Sequence, residues 1–375
     1  MNKALGALIV VVVVVAIALG ISHDHKTNKN TSTTSKTATV TYKTDPVTLT
    51  GAGSTFAAPL YGQLGTDYKA KTQTTLNYQA VGSGAGVAQF IANTVNFGAT
   101  DVALTDAELA QAQAVGAPLD IPTAFGAVTV SYNVPGVKTG LKLDGPTIAN
   151  IYLGKITNWN DPSIGKLNPG LKLPNLAISP VYRSDGSGTT ADFTQFLTDV
   201  SPTWASQIGT SKTVEWPVGT GSSGNSGVAA TVSQTKGSIG YVEQAYALQN
   251  NFAVAAVKDK TGQYVTPSLA STSLAGQNLP KLPSDLRFTA INSPTAGAYP
   301  IASATFIVVF QDTCKAKEVP DAATAQALKG WLDYLLGPGQ SSMKQLEYAP
   351  LPSGLLTQAQ AKVNSMTCNA QAIKT

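Results

Sequence analysis

Histidine is nearly absent from this 375-residue chain: there are two, His23 and His25, both close to the N-terminus. From Val47 onwards there is none. That removes the usual Ser–His general base and the usual imidazole metal ligands from the body of the protein. No G-x-S-x-G elbow is present either. Charge is scarce too. Only 12% of residues are Asp, Glu, Lys or Arg, and the net charge is +4. No block of like charge stands out in the body, so a nucleic-acid partner has no electrostatic footprint here. Cysteine is limited to Cys314 and Cys368.

What is present starts with an apolar run. After Lys3, residues Ala4 to Ile21 are apolar, with an unbroken valine stretch from Val10 to Val15. Residues 1–22 read as a signal sequence or an N-terminal membrane anchor, long enough to cross a bilayer. No A-x-A cleavage site follows and no Cys lies just after the run. An uncleaved anchor is therefore preferred over a cleaved signal peptide, and a lipid-modified cysteine is not expected. Residues 23–46 are rich in Ser, Thr, Lys and Asn without periodicity, which reads as a flexible tether. His23 and His25 sit in that tether and read as solvated linker residues. The expected location is extracytoplasmic, in the periplasm or at the cell surface. In an exported protein the pair Cys314 and Cys368 reads as a disulfide rather than a reactive thiol or metal pair. It would close a long loop, for which chain entropy gives roughly 4 kcal/mol.

The length suggests two lobes. From Val47 on, short β-like runs alternate with helical ones. Val47–Leu49, Leu76–Val81, Ile178–Tyr182 and Thr305–Phe310 read as strands. Helical patterns follow at Phe56 to about Lys69 and at Val87–Asn93. Phe193, Phe196, Leu197 and Val200 form an i, i+3, i+4, i+7 stripe, and so do Leu328, Trp331, Leu332 and Leu335, which Gly337-Pro338 ends. Strand, turn and helix in repeated order predict an α/β fold with mostly parallel sheets flanked by helices. Trp159, Trp204, Trp216 and Trp331, like Tyr61 and Tyr68, read as packing residues.

The most informative pattern occurs three times. Gly51-Ala-Gly-Ser-Thr55, Gly82-Ser-Gly-Ala-Gly86 and Gly186-Ser-Gly-Thr189 each precede a helix. The first turn of a helix offers unpaired N–H groups and a positive dipole end, glycine lets the backbone come close, and Ser and Thr add hydroxyl donors. One such turn is usually an ordinary N-cap. Three of them aimed at one point form a cage for a small oxyanion. Arg183 lies where it could add a forked cation, with Asp185 to orient it.

Here the chain resembles a family. Leu49-Thr-Gly-Ala-Gly-Ser-Thr-Phe56, Tyr78-Gln-Ala-Val-Gly-Ser-Gly-Ala-Gly86, Phe97-Gly-Ala-Thr-Asp101 and Arg183-Ser-Asp-Gly-Ser-Gly-Thr189 are similar, in order and spacing, to the periplasmic phosphate-binding proteins of phosphate-specific ABC transporters. So are Ile151-Tyr-Leu-Gly-Lys-Ile156 and Ile239-Gly-Tyr-Val-Glu243. The resemblance implies a two-lobed periplasmic-binding-protein fold with two crossover hinge strands, closing on one dehydrated phosphate. It implies phosphate contacts from the Thr55 hydroxyl, the Phe56 N–H, Ser83, Asp101, Arg183, Ser187, Gly188 and Thr189, with Asp185 paired to Arg183. Asp101 is the one acceptor. Phosphate at neutral pH carries a proton to donate and sulfate does not, so the same carboxylate repels sulfate without compensation.

The division expected is 47–124 plus 300–375 for lobe one and 125–299 for lobe two, crossing near Thr123-Ala124-Phe125 and Tyr299-Pro300-Ile301. Inorganic phosphate and ABC permease subunits are the implied partners. The protein is expected to be a monomer, with no cofactor, no metal and no catalytic residues. Ala57 stands where the family often has proline, and Asn225-Ser226-Gly227 replaces a more usual Asn-Asp-Gly, read as a change at the cleft rim. Three rival readings remain. One is a phosphate sensor or scavenger without a transporter. Another is a phosphatase using carboxylates and Arg183. The last is a nucleotide site at Gly219-Thr-Gly-Ser-Ser-Gly224 with Glu243 as its acid, weak as a lone match beside the alternative of a flexible cleft-edge loop.

Overall fold

Each β-like run forms a strand that feeds a helix. In the computed structural model, residues 46–277, 279 and 282–374 are described. The expected anchor, and the tether with its two histidines up to residue 45, lie outside them. Strands β1 (Thr48–Gly53), β2 (Thr75–Gln79) and β3 (Phe97–Thr100) are followed by helices α1 (Ala58–Thr72), α2 (Ser83–Ile91) and α3 (Asp106–Gln113). The long β4 (Pro118–Asn133) comes next. Later come β5 (Ser179–Arg183) with α4 (Gly188–Val200), β6 (Thr220–Ser222) with α5 (Gly224–Gln234), β7 (Ser238–Glu243), β8 (Ala302–Phe310) and α6 (Ala322–Leu335).

The eight strands form one continuous path, in the order β2-β1-β3-β8-β4-β7-β5-β6. Both flanks are parallel: β1 pairs with β2 and β3, and β5 with β6 and β7. The middle is antiparallel. There β8 runs against β3 and β4, and β4 runs against β7. Residues Pro118 to Ala127 of β4 pair with β8, and Val128 to Asn133 pair with β7, so a single strand belongs to both halves of the sheet. The register slips between Thr305 and Phe306, which leaves Thr123 as a bulge residue. β8 is buried along its whole length, which is why Thr305–Phe310 reads as a continuous apolar run, and β4 is buried along nearly all of its length although it carries Asp120, Thr123, Thr129 and Ser131.

The helical stripes pack as their period requires. Phe193, Phe196 and Leu197 of α4 are fully buried, as are Leu328, Trp331, Leu332 and Leu335 of α6. Ser187 caps α4 by accepting from the Thr190 N–H, and Asp321 caps α6 through Thr324. Tyr61 and Tyr68 of α1 pack against Trp331. Trp216 sits among Tyr152, Tyr182 and Tyr241. α1 lacks proline at position 57 but has one within its first two residues, Pro59, so a fixed φ still opens the helix. No helix among the described residues is long and apolar enough to cross a membrane.

Cys314 and Cys368 form a disulfide that spans 54 residues and ties the turn after β8 to a C-terminal hairpin. Replacing both by serine should lower stability by roughly 4 kcal/mol through the loop it releases. A denaturant titration of the double variant against the oxidised protein measures this. An unchanged midpoint would mean that the hairpin is held by its other contacts alone.

Candidate functional site

The Gly/Ser/Thr turns sit at the C-terminal ends of parallel strands, where each chain segment must turn into its helix. Three of them, the carboxylate after β3 and the arginine ending β5 converge where the two halves of the sheet face each other. Thr55, Phe56, Ser83, Asp101, Arg183, Ser187 and Thr189 are all buried, most of them completely. The close approach leaves no space for extra atoms. A Cβ on Gly82, whose φ is +91°, would lie 2.3 Å from Asp185 Oδ2. One on Gly188 would lie 2.6 Å from Ser83 Oγ and 2.7 Å from Asp101 Cβ. The Gly84 N–H donates to the Gly186 carbonyl at 2.8 Å, joining the second turn to the third.

Arg183 is held by its neighbour. Its Nε donates to Asp185 Oδ1 at 2.7 Å and its Nη2 to Oδ2 at 2.5 Å, while Nη1 reaches Thr189 Oγ1 at 3.3 Å. Burial alone would raise the Asp185 carboxyl, but the Arg183 donors and the Gly224 N–H hold it below the usual carboxylate range. Two sides of the guanidinium fork are thus committed to Asp185, and the Nη1 side is turned towards Thr189.

Asp101 is the opposite case. Ser54 and Thr305 hydroxyls donate to its Oδ1, the latter at 3.0 Å, and Ser83 Oγ lies 3.3 Å from Oδ2. Burial outweighs these donors and the nearby Arg183 charge, and the carboxyl is pushed up to about 6. Burial and the nearby Asp101 charge also raise the Asp192 carboxyl of α4 well above its ordinary value, with Ser303 Oγ 2.8 Å from its Oδ1. Asp120 is likewise raised to about 6 by burial. Among the described residues no group of three or more acidic, cysteine or histidine side chains could hold a metal.

These shifts set the pH dependence of stability. A carboxyl whose folded pKa is raised favours the folded state most in its neutral form, and that advantage is lost as pH rises from about 4 through 6. Asp101 and Asp120 each contribute on the order of 3 kcal/mol in this sense. Asp185 is lowered and acts in reverse, losing its contribution only below the ordinary carboxylate range. The ligand-free protein should therefore melt several degrees higher at pH 5 than at pH 7.5. Calorimetric melting points across that range test it, and a flat or rising profile towards pH 7.5 would contradict it.

Some site residues were not expected from the sequence. Asn225 belongs to the segment expected at the cleft rim, yet it is fully buried. Its Nδ2 bridges Thr55 Oγ1 at 2.9 Å and Thr189 Oγ1 at 3.2 Å, and its backbone N–H also donates to Thr55 Oγ1. Only Ser226, the departing residue, is exposed. The available signal was a fourth Gly/Ser turn before a helix. Gly219–Gly224 is not a flexible loop: it contains β6, paired with β5, and runs directly into α5. Glu243 is no ribose ligand, because it is fully buried and its carboxylate accepts from the Ala245 N–H and the Tyr348 hydroxyl. Ser54 is the residue that accepts from the Ala57 N–H at the start of α1, which spares Thr55 that duty. Ser187 is more constrained than its turn suggested. Its N–H donates to the Lys212 carbonyl and its Oγ caps Thr190, leaving only the hydroxyl proton for a ligand.

The narrow contact at Gly188 makes a sharp test. Gly188→Ala places a methyl group against Ser83 and Asp101, an overpacking of about 1–3 kcal/mol that acts only where the two halves meet. Anion binding should weaken roughly 5- to 150-fold. Titration calorimetry reads this, and wild-type affinity would show that the halves need not come this close.

Residues 29–338 match the PBP superfamily domain. The chain is 41% identical over 321 residues to the phosphate-binding protein PstS of Xylella fastidiosa, covering 85% of each chain. It is 41% identical to PstS of Pasteurella multocida over 85% of this chain and 90% of that one. It is 38% identical to PstS 2 of Mycobacterium tuberculosis over 78% and 80%. Among solved structures, a phosphate-binding protein from Stenotrophomonas maltophilia superposes with a TM-score of 0.65 at 22% identity, over 84% of this chain and 93% of that one. A high-affinity periplasmic phosphate-binding protein, PfluDING, solved with bound phosphate, superposes at 0.68 and 21% over the same shares. These two likenesses bear on the fold, which is that of the periplasmic binding proteins.

Proposed function

The chain belongs to the PstS family of phosphate-binding proteins within the PBP superfamily, and on that premise we propose that it binds one inorganic phosphate outside the cytoplasmic membrane and delivers it to an ABC permease for import. The observation that carries this reading is the pairing of donors with a single acceptor. Arg183, Ser83, Thr55 and the first turns of α2 and α4 offer donors, while Asp101 offers a carboxylate beside them. That combination suits an oxyanion that still carries a proton. Helix ends and one guanidinium replace the ion's water, so the negative charge is met mainly by fixed dipoles.

Phosphate would contact Thr55, Phe56, Ser83 and Asp101 from one half and Arg183, Ser187, Gly188 and Thr189 from the other. It would bridge them and favour the closed form by those differential contacts. The two lobes are residues 47–124 plus 300–375 and residues 125–299, hinged near Thr123-Ala124-Phe125 and Tyr299-Pro300-Ile301. The bulge at Thr123, within the strand shared by both halves, supports the first of these hinges. The protein acts as a receptor and not as an enzyme. Arg183 is bonded to Asp185 and Thr189, and Asp101 accepts from Ser54, Ser83 and Thr305, which suits holding an ion in place.

Calorimetry on phosphate-stripped protein, with sulfate as the control, tests the reading. One-to-one phosphate binding without a sulfate signal is expected. Binding of neither ion would leave the family membership standing without its function. Turnover of a chromogenic phosphate ester would revive the enzyme reading.

A further inference from the structure

Beside the proposed phosphate site, the cleft continues into a cavity of about 620 Å³ lined by Asp101, Glu108, Asp192, Lys212, Arg287 and Ser303 among others. An ion pair crosses it: Lys212 Nζ lies 2.6 Å from Glu108 Oε1. The Glu108 side chain and the Lys212 backbone are each held by other contacts. Glu108 is the third residue of α3, and its Oε2 accepts from the N–H and hydroxyl of Thr105 in a capping box. α3 begins only a few residues after Asp101. On the other side, the Lys212 carbonyl accepts the Ser187 N–H at 2.9 Å, so the backbone of Lys212 is tied to the cap of α4. The pair therefore connects the segment that bears Asp101 with the turn that bears Ser187, Gly188 and Thr189.

A second cation also reaches α3, since Arg287 pairs with Asp106 at 2.8 Å, but the Asp106 side chain is 94% exposed. Such a pair contributes little in water. Lys212 and Glu108 keep only 12% and 22% of their side-chain surface, so their attraction is less screened. Burial would raise the Glu108 carboxyl, yet the Lys212 ammonium and the Thr105 donors hold it below its ordinary value. The Glu108 side chain is ordered by Thr105 and the Lys212 backbone by Ser187, so the Lys212 stem is the main part left to order when the two meet.

We propose that the Lys212–Glu108 pair is the latch that sets how long phosphate stays bound. It joins the two halves only when the cleft is closed, and it does so without touching the ion. It therefore acts on release and not on encounter. The inference rests on the phosphate-receptor reading of the site. Glu108→Gln suits the test, because glutamine keeps the capping box while removing the charge. Lys212→Met removes the other charge and keeps most of the apolar stem.

The experiment loads full-length protein with radiolabelled inorganic phosphate and chases it with unlabelled phosphate. Each single variant should release label about 10-fold faster, with an unchanged association rate and an unchanged melting temperature of the empty protein. The double variant should release no faster than either single one, because the pair acts as a unit. Molar salt should accelerate release from the wild type and not from the variants. Wild-type release rates in both single variants, with phosphate still bound, overturn the latch and leave the receptor reading intact. So do single effects that multiply in the double variant. Wild-type protein that takes up no phosphate overturns both.

Discussion

Arg183→Met should remove tight phosphate binding while leaving a folded protein. Arg183 is the one cation among the proposed ligands, it is buried, and its donors are spread over Asp185 and the Thr189 side of the cleft. Truncating one partner of a buried, hydrogen-bonded charge pair costs about 2–5 kcal/mol, which is roughly 30- to several-thousand-fold in affinity. The Asp185 carboxylate would keep the Gly224 N–H but lose both guanidinium bonds. That leaves an uncompensated negative charge beside the anion's place. Arg183→Met with Asp185→Asn should therefore bind better than Arg183→Met alone, though far below wild type. Arg183→Lys should recover little, because an ammonium cannot hold Asp185 with two bonds and still face the ion. Calorimetric titration of the three variants reads the order. Near-wild-type affinity in Arg183→Met would mean that helix dipoles and hydroxyls alone carry the charge.

Asp101→Asn should keep phosphate binding within reach and admit sulfate. An ionised Asp101 can accept only from an anion that still has a proton, and an unmatched buried charge facing sulfate costs a few kcal/mol. The amide offers a donor in place of that repulsion, so the phosphate-over-sulfate ratio should fall by roughly a hundredfold or more. The wild type should show the same change as a function of pH. Its carboxyl is raised to about 6, so below that value it is mainly neutral and can donate to sulfate. Sulfate binding should emerge as pH falls through 6 in the wild type and stay flat with pH in Asp101→Asn. Competition of sulfate against labelled phosphate at pH 5, 6 and 7.5 measures both. Sulfate exclusion that persists at pH 5, or in the asparagine variant, would place the discrimination elsewhere in the cage.

Much of the site could be read along the chain because its signals are local. A glycine or serine turn before an amphipathic stripe marks a helix N-terminus whatever lies around it, and Thr55, Ser83 and Ser187–Thr189 all sit at such ends. Arg183 and Asp185 are two residues apart and pair within their own turn. Asn225 has the same kind of turn before it, but that turn also fits a nucleotide pattern and gives no sign of burial. Its contacts with Thr55 and Thr189 depend on two segments far away in sequence. The antiparallel middle of the sheet was equally hidden. The apolar run Thr305–Phe310 of β8 states that a strand is buried without stating the direction of its neighbours, and β4 mixes polar residues such as Asp120, Thr123, Thr129 and Ser131 into its buried length.

By itself, the sequence determined the α/β class, the anion-seeking helix ends, the forked cation with its orienting carboxylate, and a body without histidine. Each depends on residue type and short spacing. Only the tertiary structure decided that these ends meet at one point, that Asn225 bridges them, and that Glu108 and Lys212 face each other across the cleft. It also decided the state of Asp101, because desolvation belongs to what surrounds a carboxyl and not to the residue itself.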